Sequence, residues 1–220
     1  MDKKSQLTLF IIIGMVIVII FSMIFYLGMQ DFVKFNQFSP KAKGPVGSYV
    51  QSCLEFVSNN ATKTLLMHGG QKDSIPYDSL PSIESMETVL EITINSQLDS
   101  CINNFIVFRD EYDIKTGFHK TQVSINQNDI FTSLNFPVEI KKGDSEEQLS
   151  DFSYLYQDIN LPYIKQLAED IINSGEWLDN GYLLQELTTN NLQLRVISYN
   201  SKILYSINTN NNNFNFGETI

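Results

Sequence analysis

Residues that mark the commoner functional classes are scarce in this 220-residue chain. Two Cys and two His are too few for a four-ligand zinc site unless all four converge or carboxylates join them. Fifteen Lys and Arg stand against 25 Asp and Glu, and the formal net charge of −10 argues against a nucleic-acid binder, which needs a basic face. With 11 Gly and 6 Pro, the chain is neither collagen-like nor a Pro/Gly-rich disordered segment. Its length allows one folded domain with a sizeable core.

Catalytic and cofactor signatures are also missing from the sequence. It contains no phosphate-binding loop, no G-x-S-x-G, no H-E-x-x-H and no dinucleotide fingerprint. Two acidic clusters would suit calcium or glycoside hydrolysis, but neither matches an EF-hand loop, and both read as solvated loops. They are Asp110, Glu111 and Asp113, and Asp144, Glu146 and Glu147. We therefore expect no cofactor, no metal site and no enzymatic activity.

The strongest positive signal is an uncharged apolar run from Leu7 to Met29. As a helix of roughly 1.5 Å per residue it would be about 34 Å long, enough to cross a hydrocarbon core of about 30 Å. A secretory leader has a shorter apolar region and ends at a small-residue cleavage site, which is not found here. We expect a retained transmembrane helix over residues 7–29. Lys3 and Lys4 precede it, so the positive-inside rule places residues 1–6 in the cytoplasm and the rest of the chain outside.

The residues before this run resemble the processing site of archaeal class III signal peptides, the type IV pilin-like leaders. The resemblance lies in Lys3-Lys4-Ser5-Gln6, which directly abuts the apolar run. It implies cleavage after Ser5, with Lys4 as the preceding basic residue and Gln6 as the new N-terminus. The apolar helix would then stay on the mature subunit and pack in a filament core. Phe10 stands at the fifth mature position, where many pilins have an acidic residue, and the alternative is that the lysines only set the topology.

Helical periodicity and turn signals divide the remaining chain. Pro40, Gly44, Pro45 and Gly47 predict a linker over residues 30–48. Apolar spacings of three and four predict amphipathic helices over 49–67, ending at Gly69-Gly70, and over about 83–105, capped by Ser79 or Ser82. Pro162 suits the first turn of a third helix, over residues 162–173.

Period-two alternation predicts antiparallel strands in two regions. Strands around residues 121–125, 134–140 and 152–156 form a meander, in which Pro137 indicates an edge strand or a bulge. A hairpin over 192–207 turns at Asn200-Ser201. The Asn-rich stretch 209–220 predicts a poorly ordered tail, although Phe214 to Ile220 would also suit a further strand. The predicted fold is α+β: a transmembrane helix, then an ectodomain at 49–208 with amphipathic helices packed on one antiparallel sheet of about five strands.

The two cysteines predict a disulfide. Cys53 and Cys101 each lie on the apolar stripe of a predicted helix, and an exported domain permits a bond between them. Two buried reduced thiols are the alternative. Asn60-Ala61-Thr62 is an N-x-S/T sequon, which would place Asn60 at the surface if it is glycosylated.

Several segments together resemble an uncharacterised family of single-pass, extracytoplasmic proteins of small-genome archaea. They are KKSQLTLFIIIG, YVQSCLEFVSNNATKTLLMHGG, LDSCINNF and LNFPVEIKKGD. The resemblance implies the same topology and architecture and supplies no mechanism.

These observations favour a membrane-anchored, extracytoplasmic structural or interaction protein of the cell envelope. A pilin-like filament subunit processed before Gln6 is the first alternative, and an envelope-polymer hydrolase is the second. Leu7 to Met29 would contact the lipid bilayer or a filament core. The ectodomain would have a protein or glycan partner or form a homo-oligomer, and no nucleic-acid partner is expected.

Overall fold

The computed structural model describes residues 44–174, 187–209 and 212–219, which belong to one compact unit. The helices are α1 (Gly44–Met67), α2 (Ile83–Ile102), a 3-10 helix (Asn103–Phe108) and α3 (Leu161–Ser174). The strands are β1 (Asp113–Thr116), β2 (Lys120–Ile125), β3 (Asp129–Lys142), β4 (Ser145–Gln157), β5 (Leu192–Tyr199), β6 (Lys202–Thr209) and β7 (Asn212–Thr219). The predicted α+β class, with helices packed on antiparallel sheets, is confirmed.

Helix α1 starts earlier than its sequence predicts. It begins at Gly44, five residues before the predicted start, so the predicted linker is wrong over residues 44–48. Pro45 lies in the first helical turn, where a backbone N–H has no intrahelical partner and its loss costs nothing. The predicted end is confirmed, since the helix stops at Met67 and Gly69 has a φ of +58°. A side chain there would collide with the backbone of Asn215.

Helix α2 begins as predicted and ends three residues early. The Ser82 hydroxyl accepts a hydrogen bond from the backbone N–H of Ser85 at 3.2 Å, which selects Ser82 as the cap. After Ile102, the residues Asn103, Asn104 and Phe105 take left-handed φ values of 45°, 49° and 54°. Phe105 is buried and its ring stacks on Phe136 at 6.3 Å. We attribute the early end of the helix to this burial, which offsets the cost of a left-handed backbone at a non-glycine residue.

Strand β3 is the centre of a four-stranded antiparallel sheet. Strands β1 and β2 pair with it along one edge, and β4 pairs along the other. Pro137 therefore lies in a central strand and not at an edge, but the predicted bulge is confirmed. Between Asn135 and Val138 the strand has one more residue than β4 opposite. The Pro137 carbonyl accepts a bond from the Gly117 N–H at 2.8 Å, at the gap between β1 and β2.

A row of polar side chains on α2 covers the outer edge of β2. Positions 87, 91 and 95 are four apart, so they share one helix face. Each accepts a hydrogen bond from β2: Glu87 from the Ile125 N–H at 2.8 Å, Glu91 from the Val123 N–H at 3.0 Å, and Asn95 from the Thr121 hydroxyl at 2.7 Å. An edge strand exposes unpaired backbone donors, and α2 satisfies two of them.

A second antiparallel sheet has the order β5-β6-β7. The hairpin at Asn200-Ser201 is confirmed. The predicted poorly ordered tail is wrong over residues 212–219, which form strand β7. The alternative, a further strand in the region of Phe214 to Ile220, is confirmed as far as Thr219. Phe214 and Phe216 are completely buried, and Phe216 stacks on Tyr205 at 5.2 Å. Two aromatic rings spaced two apart give this strand an apolar face despite its asparagines.

Residues 76–78, which follow α1, pair with the free edge of strand β7. The Gly217 N–H donates to the Pro76 carbonyl at 2.9 Å, and its carbonyl accepts from the Asp78 N–H at 3.0 Å. The Asp78 carboxylate accepts from the backbone N–H and the hydroxyl of Thr219, and these two bonds lower the pKa of Asp78.

Helix α1 contacts elements of both sheets. It packs against β4 of the first sheet, β7 of the second, and helix α2. Helix α3 also contacts β7 and matches its predicted bounds within one residue. The prediction of one five-stranded sheet is wrong: the described residues form two sheets, of four and three strands, which share one apolar core around α1.

The predicted cytoplasmic end at 1–6, the transmembrane helix at 7–29 and most of the linker lie outside the described residues. Within the described ranges, no helix is long and apolar enough to cross a membrane.

The contact between α2 and β2 yields a stability prediction. Replacing Glu91 by Ala leaves the part-buried Val123 N–H without its acceptor, so we expect the free energy of unfolding to fall by about 2 kcal/mol. E91Q keeps an acceptor oxygen and should lose much less. The measurement is urea unfolding of the full chain, with Q97A, an exposed position of the same helix, as the control. Equal stability of E91A and Q97A would contradict the assignment.

Candidate binding cleft

A cleft of about 470 Å³ lies where three parts of the chain meet. One part is Asn128 together with residues 158–160, the second is the first turns of α3 with Tyr163 and Ile164, and the third is residues 190–192 with Thr209. We call it the amide cleft, because four of its ten described lining residues are asparagines. Its volume falls within the range of about 300–1,000 Å³ typical of small-molecule sites.

The first wall is built by the turn between β2 and β3 and by the chain leaving β4. The Asn128 carbonyl accepts a hydrogen bond from the Ile159 N–H at 3.3 Å, which ties the two segments together. Asp158 has a φ of 62°, a left-handed conformation that Asp adopts more readily than most residues. The chain therefore turns sharply after β4, and residues 158–160 line the cleft.

The second wall is the start of helix α3. The Asn160 side-chain oxygen accepts from the Tyr163 N–H at 3.1 Å, and its carbonyl accepts from the Ile164 N–H at 3.0 Å. Asn160 is thus the N-cap of the helix, a position that Asn favours. Because the cap fixes the direction of the first turn of α3, it also fixes the position of Tyr163 in the wall of the cleft.

The third wall comes from the open end of the β5–β6 hairpin, where Leu192 lies opposite Thr209. The Asn190 side-chain amide donates to the Tyr163 hydroxyl at 2.8 Å, which joins this wall to α3. Asn191 has a φ of 53°, and its N–H donates to the Thr188 carbonyl at 3.3 Å.

Thr209 is the lining residue with an unmet hydrogen-bonding group. Its hydroxyl oxygen is buried and has no hydrogen-bond partner. A buried hydroxyl without a partner costs free energy, and such groups in native structures call for an explanation. The oxygen is closed off from solvent, so a group bound in the open cleft does not reach it, and the hydroxyl faces the packed side of the residue.

The amide cleft has a simple charge pattern. Asp158 is the one charged group among its described lining residues, and the others are amides, hydroxyls and apolar side chains. Amides and hydroxyls both donate and accept hydrogen bonds, whereas a carboxylate only accepts. Glycoside hydrolysis uses a pair of carboxylates, and the described lining contributes one, from Asp158.

The predicted disulfide is present, and neither cysteine is among the described lining residues of the amide cleft. Cys53 of α1 and Cys101 of α2 are bonded, with a Cα–Cα distance of 5.7 Å. Cys53 is buried in the core. The bond closes a long loop, and the chain-entropy model assigns it about 4 kcal/mol of stabilisation. A bonded sulfur is not a nucleophile, so this pair is structural.

The other predicted site residues are scattered. Asn60 is exposed on α1, as a glycosylated position must be, but Thr62 of the same sequon is buried. Lys4, Ser5 and Gln6 lie outside the described residues, and their processing remains a prediction. The two acidic clusters flank the same end of strand β3, where Lys142 pairs with Glu111 at 3.0 Å and Lys141 pairs with Glu146 at 3.3 Å. No group of metal-binding side chains occurs within the described ranges.

The sequence analysis missed the amide cleft. Its asparagines are separated by up to 63 positions in the chain, from Asn128 to Asn191, and no spacing rule joins them. The only local signal was the asparagine content of the two regions around residues 160 and 190.

Comparisons with known proteins identify no relative of this chain: no family model, no curated protein and no solved structure matches it. The archaeal family resemblance therefore remains a prediction from the sequence.

The buried Thr209 hydroxyl without a partner predicts a substitution that stabilises the fold, whereas most core substitutions destabilise it. T209V keeps the side-chain shape and removes the buried hydroxyl, so we expect the free energy of unfolding to rise by about 1 kcal/mol. Urea unfolding measures it, with T116V, an exposed threonine of strand β1, as the control. A T209V protein less stable than wild type would show that the hydroxyl has a partner in the folded chain.

Proposed function

We propose that this chain is a membrane-anchored extracytoplasmic protein of the cell envelope, with a structural or interaction role and no enzymatic activity. The observation that carries the proposal is the disulfide between Cys53 and Cys101. Disulfides persist in oxidising compartments outside the cytoplasm and are rare inside it. The apolar run Leu7 to Met29 supports an anchor of single-pass type.

The charge distribution supports the same orientation. Lys3 and Lys4 precede the apolar run and would hold the N-terminus in the cytoplasm. The acidic remainder of the chain would stay soluble outside and be repelled by anionic lipid. The amide cleft adds a surface on which an interaction partner could be held.

A type IV pilin-like subunit is the second candidate. It is supported by the order Lys4-Ser5-Gln6 directly before the apolar run, which fits cleavage on the cytoplasmic side. In that case the same outer domain would be displayed on a cell-surface filament.

Lysine labelling tests the topology. Native cells are treated with a membrane-impermeant amine reagent before and after permeabilisation, and labelled peptides are mapped by mass spectrometry. We expect the exposed Lys63 and Lys120 to react in intact cells, and Lys3 and Lys4 to react only after permeabilisation. Labelling of Lys63 and Lys120 only after permeabilisation would contradict the proposal.

The same peptide map separates the two candidates. An anchored protein keeps peptides that contain Lys3 and Lys4, whereas a processed pilin-like subunit begins at Gln6. A mature protein that begins after Met29 would contradict both.

A further inference from the structure

We propose that the free edge of strand β5 pairs with the same strand of a second copy of this chain, so that the second sheet continues across a two-fold axis into the sheet of the copy. This inference goes beyond the proposed function and does not depend on the compartment in which the domain resides. It stands on the contrast between β5 and other sheet edges, on the groups that β5 exposes, and on the local absence of acidic charge.

The chain supplies its own hydrogen-bond partners along the edges of β2, β4 and β7, but not along β5. Side chains of α2 accept hydrogen bonds from the backbone of β2, and residues 76–78 pair with β7. On β4, the Ser153 carbonyl accepts a hydrogen bond from the Gln51 side chain of α1 at 2.8 Å. Within the described ranges, β5 pairs with β6 alone. An edge strand left open in this way is a template for another strand.

The open edge of β5 has a regular backbone. All eight residues of the strand pair with β6 without a register shift. The two-residue turn at Asn200-Ser201 makes Tyr199 and Lys202 the closing pair, whose backbone groups face each other. Because these groups alternate in direction along an antiparallel strand, the N–H and C=O groups of Val196 and Ser198 face the open edge. A partner that satisfies them must itself present an extended backbone.

Exposed apolar side chains accompany this open backbone. Val196 is 42% exposed, Ile197 is 58% exposed and Tyr199 is 75% exposed. Natural edge strands are commonly protected by lysine, proline or a bulge, and β5 contains none of these. The edge therefore offers both the hydrogen-bonding groups and the apolar surface that a paired strand would cover.

The distribution of charge favours a second copy of this chain as the occupant. The whole chain has a formal net charge of −10, so two copies repel each other wherever acidic surfaces meet. Between Glu186 and Glu218 the sequence contains no Asp or Glu, and its only charged residues are Arg195 and Lys202. Two copies that meet through β5 bring together the stretch of the chain that lacks acidic charge.

The side chains of β5 suit an antiparallel pairing centred on Ile197. In this register Ile197 lies opposite its own copy, and Arg195 lies opposite the Tyr199 ring of the copy. Val196 then lies opposite Ser198, with the outward backbone groups of both in hydrogen-bonding positions. A pairing centred on Arg195 would place two like charges opposite each other, which is destabilising, and one centred on Val196 would place each Ile197 opposite a charged Arg195.

Cysteine cross-linking of the full-length protein tests this pairing. I197C is purified in detergent with the native disulfide intact and is treated with a short bis-maleimide. The two Cα atoms at the centre of such a pairing are about 4.5 Å apart, so we expect a covalent dimer on a denaturing gel. I92C is the matched control, because Ile92 of α2 is 54% exposed and should give no dimer. No dimer from I197C, or equal dimer from both variants, would overturn the proposal.

A charge at the two-fold axis gives an independent readout. I197K would place two lysines opposite each other, and it should weaken dimerisation at least about tenfold. Light scattering over a concentration series in detergent measures the dissociation constant, and urea unfolding shows that the variant is folded. I92K should dimerise as wild type does. A wild type that stays monomeric throughout the series, or an I197K protein that dimerises as tightly as wild type, would overturn the pairing.

These measurements are separate from the test of the proposed function. Loss of the β5 pairing would leave the result of lysine labelling unchanged. Labelling that places the domain in the cytoplasm would overturn the envelope role and leave a measured dimer intact.

Discussion

The burial of helix α1 is the constraint on which the rest of this domain depends. Its apolar face contacts α2, a strand of the first sheet and a strand of the second, so neither sheet completes its core without it. The disulfide from Cys53 fixes α1 to α2, and α2 in turn supplies the acceptors that cover the edge of β2. One buried helix thus links the covalent bond, the sheet edge and the second sheet in a single core.

Local patterns were sufficient to predict α3 within one residue, most of α1 and α2, the hairpin and the cysteine pair. The disulfide was predictable because both cysteines lie on apolar helix faces that must meet in a core. The second sheet was not, because period-two alternation marks strands and does not say which strands pair. The asparagine run favoured a poorly ordered tail over strand β7, although Phe214 and Phe216 carried the signal of a buried face. Pro137 correctly predicted a bulge and wrongly predicted an edge strand, because a bulge allows proline in a central strand.

The amide cleft could not be predicted from the sequence, for a physical reason. Its walls come from a turn, a helix N-terminus and two strand ends, and only the tertiary fold brings them together. The left-handed residues Asp158 and Asn191 hold two of these walls, and such positions are recognised from backbone geometry and not from residue type alone. The partnerless hydroxyl of Thr209 is a property of the folded state only. The assignment of the cleft therefore comes from the structure, whereas the proposed cellular location comes from the sequence and the disulfide.

The central claim is that this domain folds and acts in an oxidising compartment outside the cytoplasm. The most direct measurement is the redox state of Cys53 and Cys101 in the native cells. Cells are quenched in acid, the protein is denatured without reductant and treated with a maleimide polymer, and the mass shift is read on a gel. The account predicts no shift until a reductant is added, and two added masses afterwards. Two added masses without reductant would mean that both thiols are free in the cell, and would contradict the account.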